Sequence, residues 1–161
     1  MSRNDLFKIN LSVVDNIPLY KVDTLIAKYI FNIDVKIFRY KSKAGIEFCK
    51  PVQKADTPES VPRYTYKTYV RQLKPFDQSK WKETKRYSTV PAYALELSKF
   101  YALYLTIDNS TVISTVWNRY QISGNFAEVV AQTVLLMYLC EKEINLKNEP
   151  LDEIFKEWTS L

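Results

Sequence analysis

The side chains able to do chemistry in this chain are mostly cations. Lys36, Arg39, Lys41, Lys43, Lys50 and Lys54 form one cluster, and Lys80, Lys82, Lys85 and Arg86 a second. Residues 36–86 hold 14 Lys/Arg against 5 Asp/Glu, a net +9, while the remainder carries −4 within an overall +5. The acidic excess lies toward the C-terminal end, at Glu141, Glu143, Glu149, Asp152, Glu153 and Glu157. Cations crowded in this way suit a polyanionic partner, either nucleic acid or an anionic membrane surface. Phe38, Tyr40, Tyr64, Tyr66, Tyr69, Trp81 and Tyr87 are interleaved with them. Such rings can stack bases, although alternate aromatics in a strand more often face a core.

Other chemistries lack their residues. There is no histidine, the commonest general acid/base and metal ligand. Cys49 and Cys140 are far apart, and two isolated cysteines fall short of the four ligands of a structural zinc site. Each sits in an apolar run and reads as a buried free thiol, which fits a reducing compartment. There are only 2 glycines and no Gly-rich phosphate loop. The pair Glu141 and Glu143 reads as a solvated helix end. Neither an enzyme nor a bound cofactor or metal is expected. Residues 1–5 lead into alternation and not into an apolar signal segment, so the sequons at Asn10 and Asn109 read as chance. The apolar run 129–140 is broken by Gln132 and Thr133 and is too short to span a bilayer.

The elements that must carry the cations follow from periodicity. A length of 161 residues with 47% apolar and 25% charged side chains bounds one globular domain. Phe7, Ile9, Leu11 and Val13 alternate with polar residues, which predicts a strand after a six-residue tail. Asp15-Asn16-Ile17-Pro18 is a turn, and Val22, Leu25, Ile26, Tyr29 and Ile30 follow helical spacing. Residues 33–37 and those from Ile46 predict two strands joined by a basic turn at 41–45. Residues 50–62 hold three prolines and mostly polar side chains, which predicts an exposed functional loop. A fourth strand is expected at 64–70, a basic connection at 74–87, and a strand over 93–107, broken near Lys99. Asn125 with Glu128 three residues on predicts an N-cap and a core helix to Cys140. Leu151, Ile154, Phe155 and Trp158 predict a last short helix. The expected class is α+β: a single domain over residues 1–161, with a twisted antiparallel sheet and two or three packed helices.

Three stretches resemble the matrix protein of rhabdoviruses, enveloped negative-strand RNA viruses. The first is Phe7-Lys8-Ile9-Asn10-Leu11-Ser12-Val13 with Asn16-Ile17-Pro18 and the helix from Val22. The second runs from Pro91 to Leu103-Tyr104-Leu105-Thr106-Ile107. The third is Val116-Trp117-Asn118-Arg119-Tyr120, then Asn125-Phe126-Ala127-Glu128 and the apolar helix ending at Glu141-Lys142. Together they cover most of residues 7–143. Animal members of that family carry a long lysine-rich tail where this chain has only Met1 to Leu6, so the short form suits a plant- or arthropod-infecting member. With no Pro-Pro-x-Tyr and no Pro-Ser/Thr-Ala-Pro motif, recruitment of host budding machinery by that route is not expected.

The resemblance implies a protein of the virion, between envelope and nucleocapsid, and of the host cytoplasm and inner membrane surface. It would self-associate, bind the inner leaflet and condense the viral ribonucleoprotein for budding, with the viral glycoprotein tail as a further partner. The two cationic clusters would meet lipid or nucleocapsid. The loop with Gln53, Ala55, Thr57, Pro58, Val61 and Pro62 falls where the family has its self-association loop. The acidic C-terminal region could meet a neighbour's basic face. The alternative is a sequence-nonspecific nucleic-acid-binding module.

Overall fold

The computed structural model describes residues 1–41, 44–54 and 81–159. Its first element is a helix, α1 (Arg3–Val14), where alternation predicts a strand. The same residues satisfy both periods: Leu6, Phe7, Asn10 and Val14 fall on one helical stripe, and all four are buried. The start signal decides between them. The Asp5 N–H donates to Ser2 Oγ (3.1 Å), and the Ser2 hydroxyl donates to Asp5 Oδ2 (2.7 Å), a cap that anchors the first turn.

The turn at 15–18 and the helix after it stand as expected: α2 (Leu19–Leu25) continues into a single π-helical turn, Ile26–Ile30. Then β1 (Val35–Lys41) and β2 (Glu47–Lys54) pair antiparallel, with Val35 opposite Gln53 and Lys41 opposite Glu47. Residues 50–54, expected in the exposed loop, are therefore strand, and Pro51 and Val52 are buried. β3 (Trp81–Glu83) pairs with β2 inside the stretch expected as a connection. The expected strand at 64–70 lies outside the described residues.

Residues 93–97, expected as the start of a strand over 93–107, belong instead to a helix, α3 (Pro91–Leu97). Proline at the first helical position has its φ preset and no N–H to lose, and Ala94 and Leu97 give the buried helical spacing. Only the end of the predicted strand is one, β4 (Leu105–Asp108). It turns through Asn109 (φ 49°) and Ser110 (φ 69°) into β5 (Thr111–Val116), which pairs with β6 (Tyr120–Gly124). Asparagine tolerates the left-handed region and serine does so less well. Ser110→Gly is therefore expected to raise the unfolding free energy by roughly 0.5–1 kcal/mol, read from chemical denaturation.

The core helix is α4 (Phe126–Glu141), and the Glu128 N–H donates to Asn125 Oδ1 (3.1 Å) as the sequence predicts. A 3₁₀ turn (Leu146–Asn148) and a one-turn helix, α5 (Leu151–Ile154), follow. The predicted helix stops there. Trp158 belongs to β7 (Glu157–Thr159), which pairs parallel to β1, with Ile37 beside Glu157.

The fold is a compact α+β arrangement. In place of one antiparallel sheet with two or three helices, the described residues hold five α-helices and two sheets. The first sheet is mixed, in the order β3-β2-β1-β7, and the second is antiparallel, in the order β4-β5-β6. The core gathers on α4, whose Val130, Val134, Leu135 and Leu139 are buried with Phe7, Val14, Leu25, Leu97, Val116 and Ile122. Tyr120 stacks on Phe7 with ring centroids 4.5 Å apart. The first sheet lies on α2. Neighbouring Ile37 and Phe38 are both fully buried, so both faces of β1 are covered at its centre.

Candidate basic surface on the mixed sheet

The structure brings the two cationic clusters together. β3 carries Lys82 next to β2, which carries Lys50 and Lys54. Beside β2 runs β1, with Lys36, Arg39 and Lys41, and Lys85 and Arg86 follow β3 directly. Lys43, Lys80, Ala55, Thr57, Pro58, Val61 and Pro62 lie outside the described residues. Gln53 is not a loop residue: it stands half-buried in β2, between Val35 and Lys82.

Register sorts these side chains onto two faces, because residues directly opposite across a ladder point the same way. On the face shared by Ile37, Arg39, Cys49 and Glu157, the Arg39 guanidinium meets Glu157 at 2.8 Å and Glu47 at 3.9 Å. The Tyr20 hydroxyl of α2 donates to the same Glu157 carboxylate (3.4 Å), and so does the Cys49 thiol (3.6 Å). Burial, with Cys49 and Glu157 close by, pushes the Tyr20 phenol up to about 12. On the opposite face Lys36 lies 4.8 Å from the Trp158 ring, and Lys156 approaches that ring at 4.7 Å. Lys50 meets Glu83 at 3.7 Å, and Glu83 also takes Arg86 through Nε (2.9 Å) and Nη2 (2.8 Å). Burial holds the Lys50 ammonium below its usual value, and Glu83 works against that. Beyond the sheet Lys85 pairs with Glu96 at 3.1 Å and lies 5.4 Å from the Tyr93 ring.

The carboxylates are what sequence reasoning missed. Only Glu83–Arg86 has a readable signal, the i,i+3 spacing. Glu157 reaches Arg39 through the parallel pairing of β7 with β1, far apart in sequence, which no local pattern announces. Half-exposed ion pairs of this kind add ~0–1 kcal/mol each to stability, but they cut the outward field. Among described residues of 36–86 there are eight Lys/Arg and two Asp/Glu, a surplus of six, and Glu96 and Glu157 reduce it to four.

The thiols are both free. Cys140 is buried, and burial pushes it up to about 11. Cys49 departs from expectation: it is half-buried beside a carboxylate, because β2 turns it toward Glu157 and not into the core. Among the described residues no group of His, Cys, Asp and Glu could hold a metal ion, and no helix is long and apolar enough to cross a membrane.

Compared with protein-family models, with curated proteins and with solved structures, the chain matches none.

Proposed function

We propose that this chain is a viral matrix-type assembly protein that self-associates, binds the anionic inner leaflet of a membrane and condenses a nucleocapsid. The observation that supports the reading is that the described members of both cationic clusters lie on or beside one sheet, divided between its two faces, where described Lys/Arg outnumber Asp/Glu. Clustered bases near an anionic surface contribute about 1 kcal/mol each. The resemblance to rhabdovirus matrix proteins adds its third stretch, the Trp117 segment and the capped core helix. Its first two stretches lend less, since residues 3–14 and 91–97 are helical where that family's pattern implies strand.

Self-association finds support in β4. It is an edge of the second sheet, all four of its residues are exposed, and Leu105 and Ile107 stand among them with Tyr104 alongside. An edge with apolar side chains and no blocking proline or lysine is a template for a second strand. Ile107→Lys is expected to leave stability within ~0.5 kcal/mol and to lower the oligomer fraction on vesicles, measured by chemical cross-linking.

The nucleic-acid module draws less support. Phe38 is fully buried and Tyr87 nearly so, stacked at 5.4 Å on Phe31, so neither ring can stack a base. Flotation with vesicles of graded anionic content, without nucleic acid, tests the proposal. Binding that rises with anionic lipid supports it. No flotation, together with tight salt-dependent binding of single-stranded RNA, would hand the case to the module.

A further inference from the structure

A cleft of about 320 Å³ opens between the end of α1, the turn into α2, β6 and the first turns of α4. Its walls carry two acids, Asp15 and Glu128, and an amide, Gln132, with no lysine or arginine among them. In a chain of net +5 this is a local reversal of charge.

Gln132 is the informative group. It stands one helical turn beyond Glu128 on the same side of α4. It is 7% exposed, and its amide has no hydrogen-bond partner among the described residues. The hydroxyls of Thr84, Ser114 and Thr133 are sealed in without a partner, but the Gln132 amide is not sealed and its side chain lines the cleft. A nearly buried amide forfeits its hydrogen bonds unless something in the cleft supplies them. Water would serve an amide alone, whereas the two carboxylates call for positive charge.

Each carboxylate lacks a partner for its own reason. A glutamate three residues after an N-cap can reach back to the N-cap N–H. Here only the forward half of that exchange forms, the Glu128 N–H donating to Asn125 Oδ1 (3.1 Å), and the carboxylate itself pairs with no described residue. It rests beside Gly124, where a Cβ would stand 3.0 Å from Glu128 Oε2, so the missing side chain leaves it room next to β6. Asp15 caps the C-terminal end of α1, where the helix dipole opposes a negative charge. Burial raises its carboxyl above the usual value, with no cation close enough to offset this.

We propose that this cleft binds a small organic cation, a primary ammonium group held by Asp15, Glu128 and the Gln132 amide oxygen with its alkyl chain along Leu11, Ile17 and Ile122. The count agrees: an ammonium has three N–H donors and no acceptor, and the cleft offers two carboxylates and one amide oxygen. A metal ion fits less well, since among the described residues no group of three His, Cys, Asp or Glu stands together. Size agrees too, because a cavity of roughly 150 Å³ accepts benzene and this one is larger. The site lies away from the basic sheet and does not depend on the assembly role.

The probes are n-butylammonium, butan-1-ol, butyrate and Mg²⁺, each titrated into the full-length chain at fixed ionic strength. The side-chain amide resonances of Gln132 and the backbone amides of Asp15 and Glu128 are followed. Butylammonium is expected to saturate with a dissociation constant on the order of 1 mM. Butan-1-ol and butyrate should bind at least about ten-fold more weakly. Asp15→Asn/Glu128→Gln should weaken butylammonium about ten-fold or more and leave butan-1-ol unchanged. Gln132→Leu should weaken butylammonium by roughly three- to ten-fold. Should the double variant not fold, Asp15→Asn and Glu128→Gln are read singly, and the comparison of probes on the parent stands by itself. No saturation by butylammonium up to ~30 mM, equal binding of butan-1-ol, or an affinity that survives loss of both carboxylates would overturn the proposal. Mg²⁺ moving the same resonances at lower concentration than butylammonium would assign the cleft to an inorganic ion and overturn it too.

Discussion

Asn10→Ala is expected to lower the unfolding free energy by about 3 kcal/mol. Asn10 is fully buried on α1, and its side chain is a clip across the chain. Its Nδ2 donates to Ile144 O (2.8 Å), and the Leu146 N–H donates to its Oδ1 (2.9 Å). Alanine removes both bonds and strands a buried N–H and a carbonyl, each costing ~1–3 kcal/mol. The substitution also tests the local fold. In a strand over 7–13, Asn10 would lie on the solvated face and alanine would be neutral. Chemical denaturation showing a loss below ~0.5 kcal/mol would remove the docked helix. Ser2→Ala should cost less, about 1 kcal/mol, because it removes only a cap.

The second large effect is a pH dependence. Asp23 on α2 is 2% exposed and accepts a hydrogen bond from the Ser88 N–H (2.8 Å). Burial pushes its carboxyl up from 3.8 to about 6, against the opposing pull of the Ser88 hydrogen bonds and the Arg86 charge. A raised carboxyl means that the folded chain holds this proton more tightly than the unfolded chain does. The neutral acid therefore favours the fold, and that contribution is complete below about 3.8. It is lost as pH rises to about 6 and does not change above that. The loss is on the order of 3 kcal/mol. Asp23→Asn is expected to abolish this slope and to exceed the parent in stability at neutral pH by about 2 kcal/mol. Denaturation midpoints across the window provide the check. Parent and variant showing the same pH dependence would mean that Asp23 ionises freely in the fold.

What the sequence disclosed depended on whether a local signal was unique. α4 was legible because Asn125 and Glu128 mark its start and the following apolar run is too long for a strand. α1 was not, because Phe7, Ile9, Leu11 and Val13 also fit period two. Beside the Ser2 cap, the helix is held by a polar residue, Asn10, that is buried through partners far along the chain. α3 was misread in the same way, although Pro91 at its first position was the available signal. β5 and β6 were passed over, yet Val112, Ser114 and Val116 alternate buried with less buried neighbours. β7 is three residues long, too short to show any period. For the basic surface, charge was legible and neutralisation was not. Counting residues finds Lys50 and Arg86, while their shared carboxylate at Glu83 depends on β3 lying beside β2.

The account rests most heavily on charge that is read collectively. Single replacements such as Lys36→Ala or Lys82→Ala should weaken vesicle binding only modestly, roughly two- to five-fold each. The combination Lys36→Gln, Lys41→Gln, Lys54→Gln and Lys82→Gln removes four of the eight cations among the described residues of 36–86 and keeps Arg39, Lys50, Lys85 and Arg86 with their described carboxylate partners. The most direct measurement is flotation of parent and quadruple variant with anionic vesicles across a salt series. The parent should float at low salt and be released near ~0.4 M, where the Debye length falls to about 5 Å, and the variant should bind on the order of 100-fold more weakly. Flotation that persists through the series, equal for parent and variant or equal on neutral vesicles, would contradict it.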